Sequence, residues 1–350
     1  MKIHDLEFFL ISSDRSGEPD EPRCLLVRVT TASGLEGWGE SGFVWRPGEL
    51  VARRESLLAV LAGRSVYDIE ELHTLDALWP PPVRAAVEMA VWDLLGHVLR
   101  QPLCNLLGGY YRRRIPVSVR LAGCNSKTVA NVSRELAEQG FHTLTVVADG
   151  RPDDDLQNIK AIRELLGERI TLRLDGQGLF DAETARDLCA GLEHEGLQFF
   201  LDPIKTKEIH PAAVLGRQTS VPLALWRAIC GPDDVFCAAR CGAAPFVAID
   251  LEQVGGIVPA RACAAVAAAA GMVPVLGCRA SLGIATAAML HLAAATPAFS
   301  TGNEIAPRQL RDTVLADSLE IVEGMISVPE SPGLGVEVDR AKLERRQPPM

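Results

Sequence analysis

No apolar run in this chain reaches the roughly 20 residues that a membrane-spanning helix requires. The richest stretch, residues 260–276, is broken by Arg261, Gly271 and Pro274 and reads as a buried helix feeding a buried strand. The opening MKIHDLEFFLISSD lacks the apolar core length and the small-residue cleavage site of a signal peptide. A cytoplasmic protein is therefore expected. Positive charge is in deficit, with 35 Lys and Arg against 45 Asp and Glu and a formal net charge of -10. That balance argues against nucleic acid and against an anionic membrane as partners. It leaves room for a small anion, because a local group of arginines can outweigh distant acid. The nine cysteines, an odd number scattered along the chain, make no disulfide framework and suit a reducing compartment. Cys230, Cys237 and Cys241 form the one local group. With no histidine or fourth cysteine near, they read as small buried side chains rather than zinc ligands. A Gly-rich phosphate loop after an early strand is also missing, which counts against an open doubly wound sheet.

What is present is length and periodicity. A chain of 350 residues, 48% of them hydrophobic, suits a barrel of about 250 residues with a smaller companion. CLLVRVTTASGLEGWGES has two apolar, β-branched runs around Ser33-Gly34, a hairpin signal. A helix is expected over 51–62, and another after Pro80–Pro82, with Ala86, Met89, Ala90 and Leu94 on one face. Past Arg114 short buried strands alternate with amphipathic helices such as 155–166 and 182–195. The strands read as 116–120, 143–147, 171–175, 198–201, 223–226, 247–251, 273–277 and a weaker 299–302. Their spacing of about 25 residues is that of a parallel (β/α) barrel. The closing ISVPESPGLGVEVDRAKL crowds Pro and Gly and reads as a loop-rich tail.

Four blocks carry a family resemblance: LVRVTTASGLEGWGES (26–41), AAVEMAVWDLLGHVLRQPLCNLLGG (85–109), QVGGIVPARACAAVAAAAGMVPVLG (253–277) and PESPGLGVEVD (329–339). Together, and in this order, they resemble the enolase superfamily in its mandelate racemase / muconate lactonizing enzyme branch. The resemblance implies a modified TIM-type (β/α)8 barrel with an N-terminal α+β capping domain completed by the C-terminal tail. The divisions expected are 1–112 for the capping domain, 113–311 for the barrel and 312–350 for the segment that returns to the cap. It also implies isomerase or lyase action on a carboxylate by α-proton abstraction, a Mg²⁺ cofactor and a homo-oligomer.

The residues depart from that pattern. The family's K-x-K pair would end the second barrel strand, where alternate residues share one face. Those two places fall at Thr145 and Val147, neither of them a base at neutral pH. The three acidic metal ligands would end the third, fourth and fifth strands. Asp175 matches the first, Leu201 stands at the second with Asp202 one place along on the opposite face, and Arg227 stands at the third. One carboxylate beside a guanidinium is a poor magnesium shell. Asp250 lies where the family has a lysine or a dyad aspartate, Arg279 lies near the dyad histidine's place, and Glu304 resembles a substrate-binding glutamate.

Two readings stay open. In one, Arg227 and Arg279 replace the lost cation and clamp a substrate carboxylate, Asp250 or Glu304 moves the proton, and Thr145 and Lys205 touch the substrate. In the other, Arg227–Asp175 and Arg279–Glu304 are internal salt bridges in a catalytically silent relative that binds a small acid or a protein. Lys205 and Lys207 read as a solvated loop, His142 as a packing residue and Trp226 as facing the helix layer. Arg15, Trp45 and Arg46 lie on segments resembling the family's specificity loops.

Overall fold

The computed structural model describes residues 1–11, 24–43, 45–122, 125–277, 281–304 and 313–347. Its first layer is an antiparallel meander of β1 (Ile3–Ile11), β2 (Cys24–Thr31) and β3 (Glu36–Ser41) in the order β1-β2-β3. The turn between β2 and β3 is closed by the Gly34 N–H donating to Thr31 O at 3.0 Å, with Gly34 at φ +84°. Next come α1 (Leu50–Leu61), α2 (Ile69–Leu72), α3 (Pro81–Leu99) and α4 (Leu103–Leu106). Proline opens α3 at no cost in hydrogen bonds, since the first helical N–H groups have no partner within the helix. Leu6, Leu10, Leu25, Val27, Val83, Val87, Ala90 and Leu94 make one core between sheet and helices. The approach of β3 to α3 is close enough to demand glycine. A Cβ on Gly39 would lie 1.8 Å from Ala86 O.

The barrel runs β4 (Arg114–Ala122), α5 (Ser126–Glu138), β5 (Thr143–Val147), α6 (Pro152–Leu166), β6 (Thr171–Asp175), α7 (Ala182–Leu192), β7 (Phe199–Leu201) and α8 (Ile209–Gly216). It continues with β8 (Leu223–Leu225), α9 (Pro232–Cys241), β9 (Phe246–Asp250), α10 (Leu251–Val254), α11 (Ile257–Ala269), β10 (Val273–Gly277), α12 (Ile284–Ala295) and β11 (Asn303–Glu304). Neighbours pair in parallel from β4 to β10, and β11 pairs with the free side of β4. A side chain joins β10 to β11: Asn303 Oδ1 accepts the Leu276 N–H at 3.1 Å. Period-2 alternation sorts the faces. Leu144, Val146, Leu172 and Leu174 pack against the helices, while Phe199, Leu201, Ala224, Trp226, Ala248 and Val275 form a separate cluster inside the barrel. Asn125 and Asp181 cap α5 and α7 by accepting the N–H groups of Thr128 and Thr184.

The hairpin of β12 (Ile321–Val322) and β13 (Met325–Ser327) pairs antiparallel with the start of β4. The chain then passes along α3, where Leu334 N–H donates to Asp93 at 2.7 Å, and enters α13 (Arg340–Arg346), where Arg340 pairs with Glu36 at 2.6 Å. Some sequence expectations need correction. The eighth strand is Asn303–Glu304, past the 299–302 expected, because Pro297 and the turn after it delay the extended backbone. Cys230 and Cys237 are exposed and Cys241 half-buried rather than packed inside, since they lie on the outer side of α9 and at its N-terminal approach. His142 is exposed ahead of β5 instead of packing.

Candidate functional site

The barrel mouth is built from the inward-facing residues at the strand ends. Register sets them side by side: Arg120 opposite Thr145, Val147 opposite Asp175, Asp175 opposite Leu201, and Asp250 opposite Gly277. Glu304 enters from β11, whose register places it opposite Ser118.

Arg120 joins the acidic groups. Its Nη1 donates to Glu304 Oε2 at 2.6 Å and its Nη2 donates to Asp175 Oδ2. Asp175 Oδ1 accepts the Gln177 N–H at 2.8 Å. Thr145 Oγ1 donates to Glu304 Oε1 at 2.7 Å and lies 3.1 Å from Ser118 Oγ. Thr145 is fully buried, so both contacts are made inside the protein. Below this layer Arg173, also fully buried, donates to Gln198 at 2.7 Å and stacks on Phe199 with 4.7 Å to the ring centroid.

Charge explains the arrangement. Burial works against the charge on Arg120, but Glu304 and Asp175 outweigh it and hold the guanidinium above its ordinary value. Burial pushes the Glu304 carboxyl up, and Arg120 and Arg173 more than offset that, leaving it below the usual carboxylate range. Arg173 itself is pulled down to about 10 by burial. Two guanidiniums and two carboxylates thus balance within the barrel, and a forked Arg that reaches both acids is the geometry that makes such a group tolerable out of water.

The fifth strand departs from the sequence expectation. Trp226, not Arg227, faces inward: it is 8% exposed, packs with the barrel-interior cluster, and lies 5.6 Å from the Arg120 guanidinium carbon to its ring centroid. Gly277 makes room for it, since a Cβ there would meet the indole at 3.1 Å. Parity is the reason, because Ala224 points inward and residue 226 follows it on the same face. Trp226 therefore does not face the helices, and the strand-end place assigned to Arg227 belongs to Trp226. Arg227 turns aside. Its N–H donates to Asp202 Oδ2 at 2.9 Å, and its Nη1 is buried without a hydrogen-bond partner among the described residues, near enough that a Cβ on Gly178 would meet it at 3.0 Å.

Asp202 follows Leu201 with φ +40°, turning its carboxylate off the inner face to accept the Trp226 and Arg227 N–H groups. Burial raises its pKa to about 6 against those hydrogen bonds. The ion pair expected between Arg227 and Asp175 does not form; Asp175 is taken by Arg120. Asp250 faces the mouth at 3% exposure, and its Oδ1 accepts the Glu252 N–H at 2.9 Å. Lys205 is exposed on the loop after β7. Trp45 is buried against Phe8 and Phe43, and Arg46 is exposed. Arg279 and Arg15 lie outside the described residues.

Arg120 is the residue that sequence reasoning missed. Its signal was present in PVSVRLA, where Ser118 and Arg120 alternate with valine and leucine and so share the inner face.

A magnesium ion needs about six oxygens in near-octahedral order. Of the inward residues ending β6, β7 and β8, only Asp175 is a carboxylate, and both of its oxygens are already engaged. Leu201 and Trp226 offer none. Among the described residues no group of three or more His, Cys, Asp or Glu could hold a metal ion. The residues present do not fit the magnesium site that the family resemblance implies.

Among the described residues no helix is long and apolar enough to cross a membrane. Comparison with known proteins agrees with the architecture. The family described as mandelate racemase / muconate lactonizing enzyme, N-terminal domain matches residues 17–108, and enolase C-terminal domain-like matches 127–342. Muconate cycloisomerase 1 of Rhodococcus opacus is 29% identical over 336 residues, covering 90% of this chain and 88% of that protein. N-succinyl-L-Arg/Lys racemase of Bacillus cereus is 25% identical over 331 residues, covering 91% and 89%. The crystal structure of a muconate cycloisomerase from Azorhizobium caulinodans superposes with a TM-score of 0.88 at 26% identity, covering 99% of this chain and 98% of that one. With both family domains matched in order on a capped eight-stranded barrel, this chain belongs to the mandelate racemase / muconate lactonizing enzyme branch of the enolase superfamily.

Proposed function

We propose that this chain binds a small organic acid at its barrel mouth and does not carry out metal-assisted abstraction of an α-proton. The observation that carries the reading is the Arg120 bridge between Asp175 and Glu304. It consumes the retained acidic position, while Thr145, Val147, Leu201 and Trp226 occupy inward places where a base or a metal ligand would stand. Thr145 already donates its proton to Glu304, so its hydroxyl is no base. The ligand class is supported by the relatives, whose names specify muconate, N-succinyl amino acids and arabinonate.

The test uses N-succinyl-L-arginine and arabinonate as exchange and binding probes in D₂O, and muconate, whose carbons next to the carboxylates carry only vinylic hydrogens, as a binding probe alone. NMR would follow deuterium exchange at the carbon next to the carboxylate, and thermal shift would report binding. Binding without exchange is the expected result. Exchange that requires added Mg²⁺ would overturn the proposal.

A second reading is favoured by the inward carboxylate of Asp250. In it the protein is a metal-independent isomerase or lyase, with Asp250 or Glu304 moving the proton and Arg227 and Arg279 holding the substrate. Exchange that survives chelation and disappears in Asp250→Asn would establish it instead.

A further inference from the structure

The positive charge missing from this mouth has not been left out of the fold. We infer that Arg120 is the site's internal cation, occupying the gap between Asp175 and Glu304 so that a divalent ion and this side chain are alternatives there. The inference rests on the preceding reading that the mouth is not a magnesium site.

Three observations carry it. The guanidinium uses separate arms for the two acids, Nη1 for Glu304 at 2.6 Å and Nη2 for Asp175, which places its charge between them. Both carboxylates are almost wholly buried, so each needs a counter-charge, and they start from strands far apart in the chain. Trp226 stacks beside the guanidinium and fills the inward place at the end of β8, so the cavity wall is shaped around an arginine. Arg173 helps to neutralise Glu304 from below, but its own hydrogen bonds go to Gln198 and Thr301 rather than to either acid.

A consequence follows for the pair once Arg120 is removed. Two carboxylates, the Thr145 hydroxyl and entering water are a donor set that a divalent ion accepts, since magnesium commonly binds through one or two carboxylates and keeps several waters. The native protein should ignore such ions, and the truncated one should acquire them.

The experiment is calorimetric titration with MnCl₂, alongside thermal unfolding in MnCl₂, MgCl₂ or EDTA. It compares the wild type, Arg120→Ala and the double variant Arg120→Ala/Glu304→Gln. The wild type should show the same melting temperature in all three conditions. Arg120→Ala should bind Mn²⁺ at least about tenfold more tightly than wild type, the two freed charges acting on one ion. The double variant, with one acid neutralised, should lose that gain. If Arg120→Ala is recovered folded only when MnCl₂ is present, the metal has taken over the arginine's task and the inference holds. If it folds and binds Mn²⁺ no better than wild type, the inference is overturned. It is overturned equally if Arg120→Ala stays unfolded with Mn²⁺ while the double variant folds. Tight Mn²⁺ binding by the wild type is a different failure, because it removes the preceding reading of the mouth as well.

Discussion

Thr145 shows how a single hydroxyl divides a structural site from a chemical one. It completes a chain from Ser118 through Thr145 to Glu304, all buried. A hydrogen bond to a charged acceptor contributes about 1.5–3 kcal/mol, and the isosteric valine leaves that acceptor short of a donor. Thr145→Val should therefore lower the unfolding free energy by about that amount in urea titration. If Thr145 served only a ligand, the stability would stay at the wild-type value. At this scale the sequence was partly legible. The places of Thr145, Val147, Asp175 and Leu201 came from the family resemblance, and strand parity in the fold puts all four on the inner face. Trp226 was misplaced because the strand-end place was assigned to Arg227, and in a strand of three residues no local pattern marks which parity faces inward. The role of Arg120 could not be counted at all, since it depends on what the next strands bring opposite it.

Elements of the cap and barrel are locked together by buried acids that end helices across the boundary. Glu88 on α3 accepts the N–H groups of Ile257 and Val258, at 2.9 Å for Val258, and so caps α11. The same carboxylate lies 3.3 Å from His73 Nε2 and accepts from Trp92 at 3.4 Å. Glu40 on β3 serves the start of α12 in the same way, accepting the Leu282 and Ala285 N–H groups and the Ser281 hydroxyl. Helix N-termini favour negative charge, which explains acids in places otherwise apolar. Glu88→Ala would strand two N–H groups and empty the carboxylate's space. Its cost should be roughly 3 kcal/mol or more, with faster hydrogen exchange at Ile257 and Val258 than elsewhere in α11. Unchanged exchange there would mean that α11 is capped by other means. The helix and strand alternation itself was readable from periodicity, because each segment buries one face locally. The capping acids were not, since a lone Glu within AAVEMAVWDLL carries no mark of the helix it will meet 169 residues later.

For the whole molecule, His291 is the most telling contact. From α12 its Nδ1 accepts the Cys104 N–H at 3.1 Å, and Nε2 lies 3.1 Å from Leu334 O, tying the barrel to the end of α3–α4 and to the C-terminal segment. That geometry specifies the neutral ring, with Nδ1 accepting and Nε2–H donating. Burial pulls its pKa from 6.5 to about 4. In the unfolded chain the ring takes a proton at a higher pH than in the folded one, so the unfolded state gains protons first as pH falls. The contribution is constant above pH 6.5 and is lost progressively down to about pH 4. Between those limits the wild type should lose roughly 3 kcal/mol relative to His291→Gln, measured by urea unfolding across that range. Parallel pH dependence in the two proteins would show that the ring does not titrate with folding.

The class of fold could be read along the chain without coordinates. Strand spacing, the Gly and Pro punctuation and the four family blocks are local patterns, and local patterns survive reading along a line. The contents of the mouth took shape only when the strands came together. Arg120 reaches Asp175 across 55 residues and Glu304 across 184. Which of the two possible faces each residue takes depends, for Trp226, on the parity it shares with Ala224 and, for Asp202, on the backbone turn at φ +40°. Charge pairing inside a barrel is set by strand register and side-chain reach in three dimensions, and neither is written in the order of the residues.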